Sequence, residues 1–294
     1  MLLRRLLAAL SLVRAHILSA PPGSFEPRTV ASLLRSLSAA QLLGTPLLQR
    51  LAVELHMLPP EGPGALSPRG AIELFAAFAT LPPRLDKVIA RIRVLPLLSR
   101  TVRAAPPGHL RASDLAKLLG AVTRRRYFSD GALFRFASVE VTRLRTGAFS
   151  VGEIAVIADS FAKAEVWDEK LFRHLSVSAR VLPWESLDLK DAALICGALS
   201  CAETRAGSKL RDGAIFRHVS SVLTSSELPC AGCCSRPIAE ILNAFTRSAA
   251  RPRPPLLLLR AARTASPPSH PAHEAFSSSS SRLMRLLVVV VVGS

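Results

Sequence analysis

The side chains of this chain that are best suited to bind a ligand are basic residues between positions 84 and 145. Arg84, Lys87 and Arg91 recur at helical spacing, so they share one face of a helix. Further on, a run of three arginines leads into Tyr127, the only tyrosine. Guanidinium groups bind phosphate oxygens and an aromatic ring stacks on a base, so the pattern predicts contact with a nucleic acid. The predicted RNA-binding residues are Arg84, Lys87, Arg91, Arg93, Arg100, Arg103, Arg124, Arg125, Arg126, Tyr127, Arg143 and Arg145.

The positive charge is local rather than uniform. The net charge is +17, and residues 69–145 hold 15 basic and 5 acidic side chains, whereas residues 146–228 hold 9 and 11. A dense basic segment favours a polyanion, because phosphates release condensed counterions when they meet Lys and Arg, and RNA is the first candidate. Two alternatives stay open. The charge is an ordinary solvated surface, or Tyr127 closes the core of a helical hairpin instead of stacking on a base.

Cysteines are the residues with the best metal-binding spacing, but the spacing is incomplete. Cys230 and Cys233 form half of a zinc motif, while Cys196 and Cys201 lie five positions apart and do not supply the other half. We therefore expect reduced thiols rather than a metal site.

No motif nominates an enzyme. His174 and His218 share one position of a repeated segment, but Phe136 fills that position in a third copy, which indicates a packing site. The chain contains no nucleotide loop with Gly-Lys-Ser/Thr, no His-Glu-x-x-His and no Gly-x-Ser-x-Gly. The sequence predicts neither catalysis nor a cofactor.

The basic residues lie in a chain that repeats itself. The near-identical copies are Ala132-Leu-Phe-Arg-Phe, Lys170-Leu-Phe-Arg-His and Ala214-Ile-Phe-Arg-His. An apolar helix precedes each copy, and the same pattern extends in both directions. Its equivalent positions are Val30, Ala71, Leu115, Ile154, Ala192 and Ile238, at intervals of 41, 44, 39, 38 and 46 residues. Repeats of this length indicate units that bury their apolar faces by stacking on one another.

Each unit is predicted to be a hairpin of two helices, because apolar residues recur at helical spacing on both sides of a polar turn. Ser67, Ser113 and Ser150 are predicted helix caps, and prolines fall between the units. No segment has the alternating pattern of a strand. The predicted fold class is all-α, an α-solenoid of about six helical-hairpin repeats. The alternative is an irregular helical domain in which Phe-Arg recurs by chance.

The second helix of unit two is predicted to carry the first part of the basic face. Its apolar stripe is Leu85, Val88, Ile89, Ile92 and Leu95. Arg84, Lys87 and Arg91 then lie together on another face, and the basic series is expected to continue past Pro96.

The two ends of the chain differ from the repeats. Residues 1–24 lack acidic side chains and are predicted to be a mitochondrial presequence, with a secretory signal cleaved near Ala20 as the alternative. Residues 25–250 form the predicted helical-repeat domain, and residues 251–294 a low-complexity, disordered tail. The final apolar run, residues 286–292, is too short to span a bilayer, so no membrane span is expected.

Three segments carry a resemblance to families of organellar proteins. They are Asp114-Leu-Ala-Lys-Leu-Leu-Gly-Ala, Glu153-Ile-Ala-Val-Ile-Ala-Asp-Ser-Phe-Ala-Lys and Asp188-Leu-Lys-Asp-Ala-Ala-Leu-Ile-Cys-Gly-Ala-Leu. With the period and the basic N terminus, they resemble the octotricopeptide and heptatricopeptide families and FAST-kinase-like proteins. They are also similar to the helical-repeat domain of the RNA-editing substrate-binding complex. The resemblance covers about residues 25–250. No counterpart of the RAP domain that many relatives carry follows Asn243.

The resemblance implies a non-catalytic protein of the mitochondrial matrix that binds mitochondrial mRNA or rRNA and acts in RNA processing, stability or translation. The alternative is a scaffold subunit of a mitochondrial ribosome or another assembly, with ribosomal or RNA-processing proteins as partners. A third possibility is a secreted or surface-anchored helical protein.

Overall fold

The computed structural model describes residues 12–59, 65–125, 130–182, 188–206, 216, 219 and 235–249. Every regular element in these ranges is a helix, which confirms the all-α class. The chain forms two compact units, Met1–Leu144 and Arg145–Ser294. Among the described residues, no helix is both long enough and apolar enough to cross a membrane.

The first unit begins with a helical segment over residues 12–19. Its further helices are α1 (Pro27–Ala39), α2 (Thr45–His56), α3 (Pro68–Ala79), a 3-10 turn (Pro83–Leu85), α4 (Asp86–Ile92), α5 (Val94–Arg103), α6 (Ala112–Arg124) and α7 (Gly131–Arg143). They pair as hairpins: α1 contacts α2, α3 contacts α5, and α6 contacts α7. We call the two helices of each hairpin its first and second helix. The first helices also contact each other in order, α1 with α3 and α3 with α6. The second helices do the same, α2 with α5 and α5 with α7.

The second unit has the same organisation within the described residues. Its elements are a 3-10 turn (Thr146–Ala148), α8 (Val151–Lys163), α9 (Glu169–Val181), α10 (Leu189–Ala206) and α11 (Ser235–Ala249). The hairpin is α8 with α9, and the first helices α8, α10 and α11 contact one another in that order.

The first helices bury a wide face at constant offsets. In α6 the buried series is Leu115, Ala116, Leu118, Leu119, Ala121 and Val122. The same six offsets are buried in α3 from Ala71, in α8 from Ile154 and in α10 from Ala192. The face is wide because each of these helices is covered by a hairpin partner and by at least one neighbouring first helix. These starting residues are the equivalent positions predicted from the sequence.

The second helices bury a narrower stripe, again at constant offsets. In α7 it consists of Leu133, Phe134, Ala137, Ser138 and Val141. The same five offsets are buried in α2 from Leu47, in α5 from Val94 and in α9 from Leu171. A narrow stripe leaves the opposite face of each second helix in solvent, which makes these helices amphipathic.

The caps at the starts of the first helices agree in part with the prediction. The Ser67 hydroxyl accepts from the Gly70 N–H at 3.1 Å. Ser150 and Glu153 form a reciprocal capping box, with bonds of 3.3 and 2.7 Å. The prediction of Ser113 was wrong, because α6 begins at Ala112 and Arg111 is its N-cap residue.

The predicted second helix of unit two is not continuous. The helix ends at Ile92, Arg93 takes a left-handed conformation with φ 52°, and α5 starts at Val94. A continuous helix would drive the Pro96 ring into the Ile92 carbonyl, four residues earlier. The break frees that carbonyl, which accepts a hydrogen bond from His56 Nε2 at 2.9 Å. Leu95 therefore belongs to a different helix from Leu85 and Ile89, although all three are buried.

A buried glutamate on the second helix holds the turn before the first helix in two hairpins. Glu140 is 2% exposed and accepts from the Gly108 N–H at 2.8 Å, and it also pairs with Arg143. Glu54 is 1% exposed and accepts from the Gly23 N–H at 3.0 Å. Both glycines follow Pro-Pro and have positive φ, 74° at Gly108 and 87° at Gly23. We call this arrangement the glutamate clasp.

Replacing Glu140 with Ala should destabilise the first unit. The change removes the acceptor of the Gly108 N–H, and the loss of such an acceptor costs about 1–3 kcal/mol of unfolding free energy. Urea unfolding followed by circular dichroism measures it. The control is Glu169→Ala on α9, whose ion pair with Arg173 is largely exposed and should change stability by less than about 0.5 kcal/mol. Equal losses in both variants would contradict the clasp.

Candidate nucleic-acid interface

The first helices of the first unit are joined by ion pairs on their exposed surface. Glu73 on α3 pairs with Arg35 on α1 at 3.0 Å and with Lys117 on α6 at 2.5 Å. Arg69 at the start of α3 pairs with Asp114 on α6 at 3.2 Å. These ion pairs link neighbouring first helices, so most of their charge is neutralised within the protein. We call them the first-helix ladder.

The acidic side chains nearer the second helices are used in local structure. Asp86 accepts from the Arg125 guanidinium, and Glu140 belongs to a clasp. Asp130 caps α7, with Oδ1 accepting from the Ala132 and Leu133 N–H groups at 3.0 Å each. Together with the ladder, all five acidic residues of positions 69–145 are engaged inside the unit.

Asp130 is held in its charged form despite partial burial. Burial alone would raise its pKa, but the Ser99 hydroxyl, the backbone N–H groups of Leu133 and Ala132 and the charge of Arg103 outweigh burial and lower the pKa below its ordinary value. Arg103 is therefore close enough to act on this carboxylate, although it forms no ion-pair contact with it among the described residues. Its guanidinium remains exposed.

The other cations between positions 69 and 144 lie between the turn before α4 and the end of α7. Nine of those that the structure describes are exposed and form no salt bridge with any described residue: Arg84, Lys87, Arg91, Arg93, Arg100, Arg103, Arg111, Arg124 and Arg135. All except Arg111 and Arg135 belong to the set predicted from the sequence. Arg143 is exposed but paired with Glu140, and Arg145 is exposed in the second unit.

The structure brings some of these cations to adjacent helix faces. Arg100 and Arg103 lie one turn apart on α5, outside the buried stripe that starts at Val94. Arg135 and Arg143 lie outside the equivalent stripe of α7. Because α5 packs against α7, these solvent faces are neighbours. We call the exposed cations of α4, α5 and α7 the basic face.

Arg125 does not belong to that face, and its prediction as an RNA-binding residue is corrected. It is 5% exposed and donates to Asp86, to the Phe78 carbonyl at 2.6 Å and to the Leu81 carbonyl. Phe78 lies in the last turn of α3, where carbonyls have no partner within the helix. From a buried position, Arg125 thus supplies hydrogen-bond donors to carbonyl groups at and just after the C-terminal end of α3. Its neighbours Arg126 and Tyr127 lie outside the described residues.

The described cysteine Cys196 and the imidazole of His174 are packed among other side chains. Cys196 is buried, and burial raises the pKa of its thiol to about 12, so it stays protonated. Cys201 is also a free cysteine. His174 meets the Phe149 ring edge-on, with centroids 5.9 Å apart. The described residues contain no group of three or more side chains suited to a metal ion. Cys230, Cys233 and His218 lie outside them.

Several residues of the structure were missed by sequence reasoning. Asp130 and Asp168 each cap a second helix, and each stands four positions before the Phe of a Phe-Arg copy. That spacing is a signal in the sequence, since Asp212 precedes Phe216 in the same way. The glutamate clasp has a weaker signal in the sequence: Pro-Pro-Gly, the turn that the glutamate holds, recurs before two first helices.

Comparisons with known proteins give no identification. No protein-family model matches the chain, and no curated protein matches it. The resemblance to organellar helical-repeat families therefore stays a prediction.

The adjacent arginines at the end of α6 should respond differently to truncation. Arg125→Ala should lower the free energy of unfolding by about 3 kcal/mol, because it removes the buried guanidinium that donates to Asp86 and to the Phe78 and Leu81 carbonyls. Arg124→Ala removes the same charge from an exposed site and should change stability by less than about 0.5 kcal/mol. Thermal and urea unfolding compare them. Similar stability of the two variants would refute the internal role of Arg125.

The first-helix ladder should make stability depend on pH. The hydrogen bond from Lys117 is the largest influence on Glu73, and despite partial burial the pKa is lowered from its ordinary 4.5. Its stabilisation is therefore complete above pH 4.5 and is lost as the pH falls through the lowered folded pKa. Glu73→Gln should cost up to about 1 kcal/mol at neutral pH, because the partners are about half exposed. Urea unfolding over a pH series should show the difference vanish in acid, and a constant difference would contradict it.

Proposed function

We propose that the protein is an α-solenoid of about six helical hairpins that binds RNA without catalysing a reaction. The solenoid is supported by the constant offsets of the buried residues and by the ordered contacts of first helices within each unit. A hairpin with two exposed apolar faces is stabilised most when it buries them against neighbouring hairpins of the same shape.

The observation that carries the RNA proposal is the unequal use of charge in the first unit. The acidic side chains of positions 69–144 are engaged in ion pairs, caps and clasps, whereas the cations of the basic face other than Arg143 form no ion pair with any described residue. A concentration of unpaired cations is costly in self-repulsion unless a counter-charge is present. RNA phosphates supply that charge at regular spacing, so contacts to the backbone dominate the affinity.

The proposed setting is the mitochondrial matrix, with mRNA or rRNA as the ligand and RNA processing, stability or translation as the role. Support comes from the N-terminal residues 1–25, which contain basic but no acidic side chains, and from the resemblance to organellar repeat families.

A scaffold subunit of a mitochondrial ribosome or another assembly is the second candidate. It is favoured by large apolar side chains exposed on or next to the second helices: Val53 on α2, Met57 just after it, Val139 on α7 and Val181 on α9. Apolar side chains in solvent are a feature of surfaces that bind other proteins.

The RNA proposal is tested by removing three charges from the basic face. The variant Arg100→Gln, Arg103→Gln and Arg135→Gln should bind a single-stranded RNA of mixed sequence more weakly than the wild type. Because three phosphate contacts are lost, the plot of log K against log salt concentration should become shallower by about 2. Fluorescence anisotropy at several salt concentrations measures both effects.

The matched control removes the same charge from the second unit. Lys170, Lys190 and Arg205 are exposed, and their joint replacement with Gln should leave the salt slope unchanged. Equal effects of the two triple variants would show that net charge, rather than the basic face, controls binding. Crosslinking in cells that recovers a stoichiometric protein partner and no RNA would favour the scaffold.

A further inference from the structure

The residues just before α1 are built into the first unit. Ile17, in the helical segment over residues 12–19, is 2% exposed. The Arg50 guanidinium on α2 donates to the Ala20 and Pro21 carbonyls at 2.7 and 2.8 Å. Glu54 accepts from the Gly23 N–H at 3.0 Å. This segment therefore has the contacts of a folded element.

Glu54 depends on this segment for its partners. It is 1% exposed, and besides the Arg50 side chain its donors are the backbone N–H groups of Gly23 and Phe25. Removal of residues 1–24 would take away the Gly23 donor and would uncover the apolar surface beneath Ile17. The loss of a donor to a buried carboxylate would destabilise the first unit, and so would the exposure of apolar surface.

The segment matches an internal hairpin junction in register. Pro21, Pro22 and Gly23 stand 85 positions before Pro106, Pro107 and Gly108, as Val30 stands before Leu115. Ile17 likewise stands 85 positions before Val102, and both side chains are buried. Val102 belongs to α5, the second helix that precedes the α6 hairpin. Residues 12–19 therefore take the place of a preceding second helix.

We propose that residues 12–25 form a half-hairpin that packs against α2, and that N-terminal processing leaves Ile17 and all later residues in place. Any targeting protease then cuts before Ile17. The proposal thus differs from the cleavage near residue 24 implied by a presequence of 24 residues, and from a secretory cleavage near Ala20. The inference is independent of RNA binding, since it rests on the packing of the first unit alone.

The first experiment tests whether the half-hairpin is docked in solution, using the full chain. A Cβ added to Gly23 or to Gly108 meets no atom within 4 Å, so Ala at either position adds only the strain of positive φ. If the segment is part of the fold, Gly23→Ala should lower the thermal midpoint by about 2–4 °C, as Gly108→Ala should. An unchanged midpoint for Gly23→Ala would overturn the proposal.

Neighbouring side chains of the helical segment give an independent comparison. Ile17→Ser replaces a buried residue, whereas Leu18→Ser replaces one that is 39% exposed. The thermal midpoint should fall clearly for Ile17→Ser and by much less for Leu18→Ser. Equal midpoints would show that Ile17 is not packed in solution and would reject the half-hairpin.

The processing claim is tested on the protein made in cells. The full chain with a C-terminal tag is expressed, purified and analysed by mass spectrometry of its N terminus. An N-terminal residue at or before Ile17, including an uncut chain, supports the proposal. A mature chain that begins anywhere from Leu18 to Pro27 overturns it.

Discussion

The rest of the structure depends on the burial of the first helices on more than one flank. In α6 six of eight consecutive positions from Leu115 are buried, which leaves little surface for polar side chains. Such a helix is not soluble alone, so each hairpin requires a neighbour in register. The second helices are less dependent on a neighbour, because they bury only one narrow stripe and keep an exposed face. The two helices of a hairpin therefore differ in how much of their surface is buried.

The same difference explains where the charges lie in the first unit. Ion pairs such as Arg35 with Glu73 form between first helices, where side chains of successive hairpins are within reach. Glu140 and Asp130 are instead drawn to backbone N–H groups at turns and helix starts, where a carboxylate is the better acceptor. Arginine has no acceptor atoms and cannot replace them there. Arg100 on α5 and Arg135 on α7 are consequently left in solvent without an ion pair to any described residue.

Sequence reasoning predicted the helices and the equivalent positions from Val30 to Ala192, because apolar periodicity is a local signal. It did not predict contacts between residues far apart in the chain. Arg125 reaches Phe78 across 47 positions, and nothing in the run of three arginines marks it as different from Arg124. The break at Arg93 does have a local signal, since Pro96 forbids a continuous helix through Ile92. Compositional patterns thus predict which faces are buried, and long-range hydrogen bonds decide which charges stay outside.

The solvent faces of the second helices are free to differ from hairpin to hairpin. One offset from the buried stripe is occupied by Val53 in α2, by Arg100 in α5 and by Val139 in α7, and all three are exposed. The fold tolerates these chemically different side chains because they lie outside the buried stripe and are exposed. The basic face is therefore a property of particular hairpins and is not imposed by the repeat. A surface that can change without cost to the core is free to acquire a distinct chemistry, and in the first unit the exposed cations of α4, α5 and α7 give it a positive charge.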